Sequence, residues 1–307
     1  MMAFRSLFKV STSKLSRNFS SSIRPNVECV FEPDTNTCCY IVSCPETGSA
    51  SVIDSVLNFD SIALKTTTEH ADQVISKLKD QNLDLKYIME THVHADHLTG
   101  ARVIKKAFPQ AVTAIGSNIA LVQSTFAKIF NIDIACDGSQ FDKLIHDGEE
   151  FSIGKLHLKA INSQGHTPAC MVYIIGDSVF TGDTLFMPDF GTARCDFPNG
   201  SASTLYDSIM KVYSLPEEYR VFVGHDYGPG GREYKWETTI GESKYNNAQL
   251  NKNTKKEDFV KWRESRDANL KLPRLITQSL QVNLRNGALP EPESNGVVYF
   301  KTPINTL

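Results

Sequence analysis

Seven side chains in this sequence are of the types that bind transition metals, and four of them fall within one six-residue segment. That segment has the spacing HxHxDH, which is among the more specific sequence patterns for a metal site. Imidazole nitrogens and carboxylate oxygens are suitable ligands for zinc or iron. The sequence therefore predicts a metal centre that draws on His92, His94, Asp96, His97, His166, Asp183 and His225.

Each group of candidate ligands follows an apolar run that predicts a β-strand. The HxHxDH segment follows the strand predicted at Leu85–Met89, and the other ligands follow strands predicted to end near residues 161, 181 and 223. Loops at one rim of a rigid scaffold are the usual location of functional sites. In an extended turn the first two histidines point to the same side, whereas Asp96 and His97 are expected to begin a helix and face a neighbouring point. We therefore expect ligands for two adjacent positions.

The pattern of strands and helices indicates a layered α/β fold. Short β-branched runs open the chain, and from about residue 236 it becomes polar and helical. We divide it into a catalytic domain at residues 25–250 and a C-terminal helical extension at residues 251–307. The predicted elements include strands at Val27–Phe31, Cys38–Val42, Ala50–Ile53, Ala111–Ile115, Leu156–Ile161, Met171–Ile175, Ser178–Thr181 and Val221–Val223, and helices at Thr68–Gln81, Ile119–Phe130, Ala202–Tyr213, Glu257–Leu270 and Pro273–Arg285.

Residues 1–24 differ in composition from the rest of the chain. They hold five Lys or Arg residues and seven serines, and the first acidic residue is Glu28. Their large apolar residues would share one face of a helix. An amphipathic, Arg- and Ser-rich, acid-free N-terminus is typical of a mitochondrial transit peptide. We therefore predict a transit peptide at residues 1–24 and a mitochondrial matrix location, with a leader of no targeting role as the alternative.

Charge and hydropathy exclude two classes of partner. The formal net charge is −3, and removal of the basic leader makes it more negative, so nothing indicates a nucleic-acid binder. The sequence contains no uninterrupted run of about 18 apolar residues, the length needed to span a bilayer. We expect neither a nucleic acid nor a membrane as a partner.

The order of the candidate ligands resembles that of the metallo-β-lactamase superfamily. The resemblance covers roughly residues 27–250. It implies an αββα sandwich with the metal site at one edge of the paired sheets, followed here by the C-terminal helical extension.

Within that superfamily, residues 91–100 (THVHADHLTG) resemble the motif of the persulfide dioxygenases, the ethylmalonic encephalopathy protein family. Further matches lie at residues 165–168, 181–183, 194–197, 204–206 and 225–227. The resemblance implies one iron(II) ion per subunit, held by His92, His166 and Asp183. The remaining candidate ligands would then surround these three instead of binding a second metal, and we expect catalytic roles for Asp96 and His225.

Two histidines and one carboxylate occupy one face of an octahedron and leave three positions open, an arrangement that suits non-haem iron activating dioxygen. The resemblance implies that the enzyme oxidises glutathione persulfide with dioxygen to sulfite and glutathione, as a step in hydrogen sulfide metabolism. By analogy we expect a homodimer.

Substrate binding is expected to involve a cationic side chain, because glutathione carries two carboxylates. Arg194 is the best candidate, since a guanidinium pairs bidentately with a carboxylate. An ion pair with Asp196 or Asp189 is the alternative for this residue. Tyr227 is a second candidate, with core packing as its alternative. Two segments depart from the family's pattern. We expect an insertion near residues 116–147 to reshape the entrance. Residues 187–193 replace the family's compact glycine-cysteine-glycine loop, so the resemblance does not assign substrate contacts there.

A dinuclear zinc thioester hydrolase of the glyoxalase II type is the competing interpretation. All seven ligands are present, so two zinc ions per subunit could hold a hydroxide that attacks a carbonyl. Residue types do not decide the metal, because imidazole and carboxylate bind zinc well too. Glyoxalase II usually has a further histidine within the motif and Gly-Gly after it, where this chain has Val93 and Thr99-Gly100. A metal-stabilised scaffold or sensor without activity is a third interpretation.

Overall fold

The computed structural model describes residues 23–306, so the predicted transit peptide lies almost wholly outside the described residues and stays a prediction. Within residues 23–306 the strands are β1 (Asn26–Glu32), β2 (Thr37–Ser43), β3 (Ser49–Ile53), β4 (Val56–Asp60), β5 (Lys65–Thr67), β6 (Asp84–Met89), β7 (Leu98–Thr99), β8 (Val112–Gly116), β9 (Lys143–Ile145), β10 (Glu150–Ile153), β11 (Leu156–Asn162), β12 (Met171–Ile175), β13 (Ser178–Gly182), β14 (Arg220–Val223) and β15 (Glu237–Thr239).

Helices lie between these strands and after them. One of them, at residues 202–213, begins after Ser201, whose hydroxyl accepts a hydrogen bond from the Thr204 amide at 3.2 Å and so caps the first turn. The helices are α1 (Glu69–Asp80), α2 (Ala101–Ala107), α3 (Ile119–Phe130), α4 (Ala202–Tyr213), α5 (Ile240–Asn246), α6 (Lys256–Asp267) and α7 (Ile276–Asn283).

Two six-stranded sheets form the centre of the fold. The first has the order β1-β2-β3-β6-β8-β9, and the second has the order β10-β11-β12-β13-β14-β15. In the first sheet β3, β6, β8 and β9 are parallel, and the connections between them contain α1, α2 and α3. In the second sheet only β13 and β14 pair in parallel. Strands β5, β4 and β7 form a small third sheet.

The two large sheets pack face to face, and helices cover their outer faces. The phenol of Tyr40 in the first sheet donates a 2.6 Å hydrogen bond to the Val223 carbonyl in the second. Helices α1 and α2 pack on the outer face of the first sheet, and α4 packs on that of the second. This arrangement confirms the predicted αββα sandwich. The core between the sheets includes Tyr40, Val42, Ile53, Met89, Leu158, Tyr173, Phe180 and Phe222.

The structure agrees with the predicted elements where the apolar pattern was clear. Helices α3 and α4 and strand β12 have the predicted bounds. The prediction that the chain becomes helical from about residue 236 was wrong at Glu237–Thr239, because these polar residues form β15 through backbone hydrogen bonds to β14. Among residues 23–306, none of the helices combines the length and the apolar composition needed to cross a bilayer.

The C-terminal helices pack onto the sandwich through a buried charge. The Arg263 guanidinium on α6 is fully buried and donates to the Asp267 carboxylate at 2.6 and 3.0 Å. It also donates to the carbonyl oxygens of Thr192 and Ala193, at 3.1 and 3.0 Å. The loop that precedes residue 194 is therefore tied directly to α6. The division at residue 250 stays a prediction.

We expect Arg263→Ala to lower the free energy of unfolding by about 3–5 kcal/mol, because it leaves the buried Asp267 carboxylate without its partner. Urea denaturation would measure the change. Lys261→Ala, an exposed cation on the same helix, is the matched control and should stay within about 0.5 kcal/mol of the wild type. If Arg263→Ala behaved like the control, the ion pair would not hold α6 in place.

Candidate metal centre

The loop after β6 sends its apolar and its histidine side chains in different directions. Val93 and Ala95 are buried in an apolar cluster that includes residues of α3 and α7. His92 and His94, which alternate with them, lie against each other with ring centroids 4.1 Å apart. Burial of the two apolar side chains therefore fixes the direction in which the histidines point.

Three of the predicted ligands converge on one point. The Nε2 atoms of His92 and His166 lie 3.9 and 3.7 Å from the Oδ2 atom of Asp183. Ligand atoms of the three residues all lie within 4.8 Å of one another. The residues follow β6, β11 and β13, so three strand ends at one rim of the sandwich supply them. We call His92, His166 and Asp183 the metal triad.

Hydrogen bonds orient both histidines of the metal triad. His92 Nδ1 lies 3.0 Å from the Thr91 hydroxyl, which itself donates to Asp54 at 2.8 Å, and His166 Nδ1 lies 2.8 Å from the Arg194 carbonyl. Each Nδ1 therefore carries the proton, and each Nε2 lone pair faces Asp183. Burial, followed by the adjacent imidazoles of His94 and His166, lowers the pKa of His92 well below its usual range. The ring is therefore neutral and able to bind a cation.

The other four predicted ligands form a second cluster beside the metal triad: His94, Asp96, His97 and His225. His225 Nε2 lies 3.3 Å from Asp96 Oδ2 and 3.3 Å from the Oδ1 atom of Asp183. The two oxygens of the Asp183 carboxylate thus face different clusters. Among residues 23–306, no hydrogen bond satisfies the buried inward-facing atoms His94 Nδ1, Asp96 Oδ2, His97 Nε2, Asp183 Oδ1 and His225 Nε2. Such atoms are costly to bury without a partner, so their donor set fits a cation as well.

His94 differs from the other histidines because two buried carboxylates hold its Nε2 atom. That nitrogen lies 3.1 Å from Asp54 and 3.3 Å from Glu90. Burial alone would lower the pKa of His94, but the two carboxylates outweigh it and raise the pKa well above its usual range. The Nε2 atom of His94 is therefore occupied by these carboxylates and does not point to the metal triad.

Glycines allow the loops of the site to approach closely. Gly182, which precedes Asp183, has a φ of +48°, and a Cβ atom there would collide with the Thr91 side chain. Gly165, which precedes His166, has a φ of +136°, and a Cβ atom there would collide with the Leu205 backbone. Both positions therefore require glycine.

A cavity of about 360 Å³ opens onto the two clusters. His166, Asp183 and Asp96 line it, so a bound molecule can reach the metal triad. Phe186, Phe190, Thr192 and Ala193 also line it, which places the atypical segment at residues 187–193 in its wall. No residue of the segment 116–147 lines this cavity, but Val122, Thr125 and Phe126 of that segment line a smaller pocket next to it, beside His166 and Phe197. The full lining is Asp34, Thr35, Asn36, Ala95, Asp96, His166, Asp183, Phe186, Phe190, Thr192, Ala193, Arg194, Phe197, Tyr227, Arg266, Leu270, Pro273 and Arg274.

Both residues predicted to bind substrate line this cavity. The Arg194 guanidinium is engaged: it donates two 2.6 Å hydrogen bonds to Asp196 and one of 2.7 Å to the Lys271 carbonyl. The Tyr227 ring packs against Phe190, with centroids 4.6 Å apart. The alternative ion pair with Asp196 is therefore present, and the roles of Arg194 and Tyr227 in substrate binding stay predictions.

Asn283 at the end of α7 holds the backbone of the ligand loop. Its amide nitrogen donates 2.8 Å hydrogen bonds to the carbonyl oxygens of both His94 and His97, and its oxygen accepts from the Thr99 amide at 2.8 Å. The prediction that Asp96 and His97 begin a helix was wrong. Asn283 takes the carbonyl groups that a helix would use, β7 follows directly, and α2 begins only at Ala101.

Sequence reasoning missed several residues that build the site. Asp54 and Glu90 are isolated acids at strand ends, and Asn283 lies in a helix that was assigned no contact with the site. Arg266 and Arg274 also line the cavity. Their spacing carries no motif, and only the fold brings them to the site.

Comparison with known proteins identifies related chains. The sequence profile described as "Metallo-beta-lactamase superfamily" matches residues 34–225. A Dictyostelium discoideum protein named "Glyoxylase B2" is 46% identical over 289 residues, which cover 93% of this chain and 99% of that protein. The Bos taurus protein named "Persulfide dioxygenase ETHE1, mitochondrial" is 29% identical over 290 residues, covering 94% and 98%. The crystal structure of ETHE1 from Myxococcus xanthus has a TM-score of 0.69 and 30% identity, covering 86% of this chain and all of that chain.

We expect Asn283→Ala to weaken metal binding by about 10- to 100-fold, because the ligand loop loses the groups that fix its backbone. Competition between the protein and a chelator for the metal would measure this. Gln278→Ala, on the same helix but bonded only to its neighbour Thr277, is the control and should bind metal like the wild type. Equal affinities for both variants would mean that Asn283 does not position the ligands.

Proposed function

This chain belongs to the metallo-β-lactamase superfamily, and we propose that it is a mononuclear iron persulfide dioxygenase. The observation that carries this proposal is the division of the ligands. His92, His166 and Asp183 converge beside the cavity, whereas the Nε2 atom of His94 is held by Asp54 and Glu90. A site of two histidines and one carboxylate with open positions is the arrangement of non-haem iron oxygenases.

The metal triad fits such an ion on its own chemistry. Both Nε2 atoms face one carboxylate oxygen, and both Nδ1 atoms have hydrogen-bond acceptors. Iron(II), when bound by His92, His166 and Asp183, would supply the electrons that activate dioxygen and a site for the persulfide sulfur. The protein's contribution is to orient these ligands and the substrate and to exclude competing oxidation.

The overall reaction is balanced as glutathione persulfide, dioxygen and water giving glutathione, sulfite and protons. The outer sulfur is oxidised and dioxygen is reduced, so no further reductant is needed. Phe186, Phe190 and Phe197 line the cavity and limit the water around the reacting sulfur. We propose that Tyr227, which also lines the cavity, contacts the substrate.

We propose that Asp96 and His225 have catalytic roles beside the metal triad. His225 Nε2 lies 3.3 Å from Asp183 and 3.3 Å from Asp96. Its Nδ1 atom lies 3.2 Å from the Asn36 carbonyl, which fixes the ring. Burial lowers the pKa of His225, but the carboxylates of Asp96 and Asp183 outweigh it and raise the pKa. The His225 ring is therefore fixed beside Asp183, and Asp96 lines the cavity.

We also propose a location, a metabolic role and an oligomeric state for this protein. The matrix location rests on the composition of residues 1–24, and the bovine relative carries "mitochondrial" in its name. Sulfite and glutathione are products that suit a role in hydrogen sulfide metabolism. A homodimer is proposed by analogy alone.

A dinuclear zinc hydrolase of glutathione thioesters is the second candidate, and one observation favours it. The second cluster has buried, unsatisfied atoms that converge, and Asp183 faces both clusters, as a bridging ligand between two ions would. The name "Glyoxylase B2" of a relative at 46% identity also supports this candidate.

We expect the anaerobically purified protein to hold one iron per subunit and to consume oxygen when glutathione persulfide is added. Metal analysis together with an oxygen electrode would measure both. Two zinc ions per subunit, with hydrolysis of lactoylglutathione and no oxygen uptake, would establish the hydrolase instead.

Substitutions in the two clusters distinguish the mononuclear iron dioxygenase from the dinuclear zinc hydrolase. His166→Ala and Asp183→Ala should abolish metal binding and oxygen uptake together, because each removes a ligand of the metal triad. His225→Ala should retain the metal, since this residue lies in the other cluster. Loss of a full equivalent of metal from His225→Ala would show that the mononuclear assignment is wrong.

A further inference from the structure

Three aromatic rings form one wall of the cavity, and they come from two separate parts of the chain. Phe186 and Phe190 lie next to and within the atypical segment at residues 187–193, and Tyr227 lies in the loop after β14. The centroid of the Tyr227 ring lies 4.6 Å from that of Phe190 and 6.2 Å from that of Phe186. The same ring stacks on His225, with centroids 5.9 Å apart. We call Phe186, Phe190 and Tyr227 the aromatic wall.

One guanidinium, that of Arg232, fastens the two parts of the chain to each other. Its Nε and Nη2 atoms donate to the two oxygens of Asp189 at 2.5 and 2.8 Å. Its Nη1 and Nη2 atoms donate to the two oxygens of Asp226 at 2.6 and 2.8 Å. Both carboxylates are therefore bound bidentately, the arrangement in which an arginine is held most firmly. We call Asp189, Asp226 and Arg232 the Arg232 clasp.

The Arg232 clasp lies next to the aromatic wall along the chain and joins a buried charge to an exposed one. Asp189 directly precedes Phe190, and Asp226 directly precedes Tyr227. Asp226 is only 1% exposed, whereas Asp189 is exposed. Because a buried carboxylate needs its partner, Asp226 holds Arg232 in place, and Arg232 holds Asp189. Its hydrogen bonds lower the pKa of Asp189, so this carboxyl group is charged at neutral pH.

Other contacts hold the atypical segment from a different side. The side chain of Gln249, for example, donates to the Phe190 carbonyl at 2.6 Å. Such contacts tie the segment to the chain after α5 and leave its distance from Tyr227 undetermined. Within residues 23–306, the bonds from Arg232 to Asp189 are the only hydrogen bonds between the atypical segment and the loop that joins β14 to β15. The Arg232 clasp therefore sets the spacing between the two halves of the aromatic wall.

We propose that the Arg232 clasp positions the aromatic wall against the sulfur-bearing chain of the substrate and so contributes to substrate specificity. The proposal rests on the proposed function for the contact between Tyr227 and the substrate. Tyr227 is 41% exposed although its ring packs on Phe190, so part of the ring is open to a bound molecule. Divalent sulfur packs favourably against aromatic rings. Arg232 and Asp189 are thus positioning residues, and they act through the rings beside them.

Asp189→Ala tests the proposal, because it removes the exposed carboxylate and leaves Asp226 paired with Arg232. On the metal-loaded protein we expect the KM for glutathione persulfide to rise about fivefold and kcat to stay within about twofold, since the aromatic wall binds the substrate without reacting. Asp189→Glu restores the carboxylate and should recover part of the loss. Metal content equal to that of the wild type would exclude a folding defect.

Glu233→Ala is the matched control for this charge change. Glu233 is an exposed acid next to Arg232, and within residues 23–306 its side chain makes neither a hydrogen bond nor an ion pair. Its KM and kcat should equal those of the wild type. A KM raised equally by Glu233→Ala and Asp189→Ala would show that the loss of any negative charge in this region has the effect, and would overturn the proposal.

A Tyr227→Leu background and hydrogen exchange separate positioning from a purely structural role. In Tyr227→Leu, the further change Asp189→Ala should leave KM unchanged within about twofold, because the ring through which the Arg232 clasp acts is absent. Amides of the atypical segment and of the loop between β14 and β15 should exchange about fivefold faster in Asp189→Ala than in the wild type. Faster exchange with no change in KM, or the same rise in KM in both backgrounds, would overturn the proposal.

The choice of substrate distinguishes this inference from the proposed function. If the wild type hydrolyses lactoylglutathione and consumes no oxygen, the dioxygenase is refuted. A KM for lactoylglutathione that rises in Asp189→Ala and not in Glu233→Ala would then still support the Arg232 clasp. Oxygen uptake with glutathione persulfide, at a KM that Asp189→Ala leaves unchanged, would keep the dioxygenase and refute the clasp.

Discussion

One buried carboxylate, Asp54, determines how the metal-binding side chains are divided. Its Oδ1 atom accepts from the Thr91 amide at 2.7 Å and lies 3.1 Å from His94 Nε2, and its Oδ2 atom accepts from the Thr91 hydroxyl. The same hydroxyl accepts from His92 Nδ1. Asp54 therefore directs the Nε2 atom of one histidine towards Asp183 and holds that of the next. Ligands that lie within one short motif are thus divided between two clusters with different surroundings.

The extension completes the site that the sandwich begins. Asn283 binds the backbone on both sides of Asp96, and Arg263 ties α6 to the loop that carries Arg194. Helices α3 and α7 surround Val93, so the segment at residues 116–147 supports the ligand loop from behind. The helices α3, α6 and α7 thus help to fix the positions of the ligands and the wall of the cavity, although the ligands themselves follow the strands.

The sequence predicted most of the fold, and the structure brings all seven candidate ligands together in two adjacent clusters. The runs that became β12, α3 and α4 were clear because burial selects apolar residues at fixed periods. The strand at Glu237–Thr239 was missed because its backbone hydrogen bonds to a neighbour, and not its side chains, make it a strand. Asn283, Arg266 and Arg274 carry no motif, because nothing in their spacing reflects contacts with residues far along the chain.

What the sequence determined by itself was which side chains are candidates to bind metal and which strand ends present them, because ligand chemistry and apolar periodicity are local properties of the chain. Tertiary structure alone decided that Asp54 and Glu90 hold His94, that Asp183 faces both clusters, and that Arg194 pairs with Asp196. These outcomes depend on distances of a few ångströms between residues from separate elements. Such distances are fixed only when the two sheets and the helices pack together.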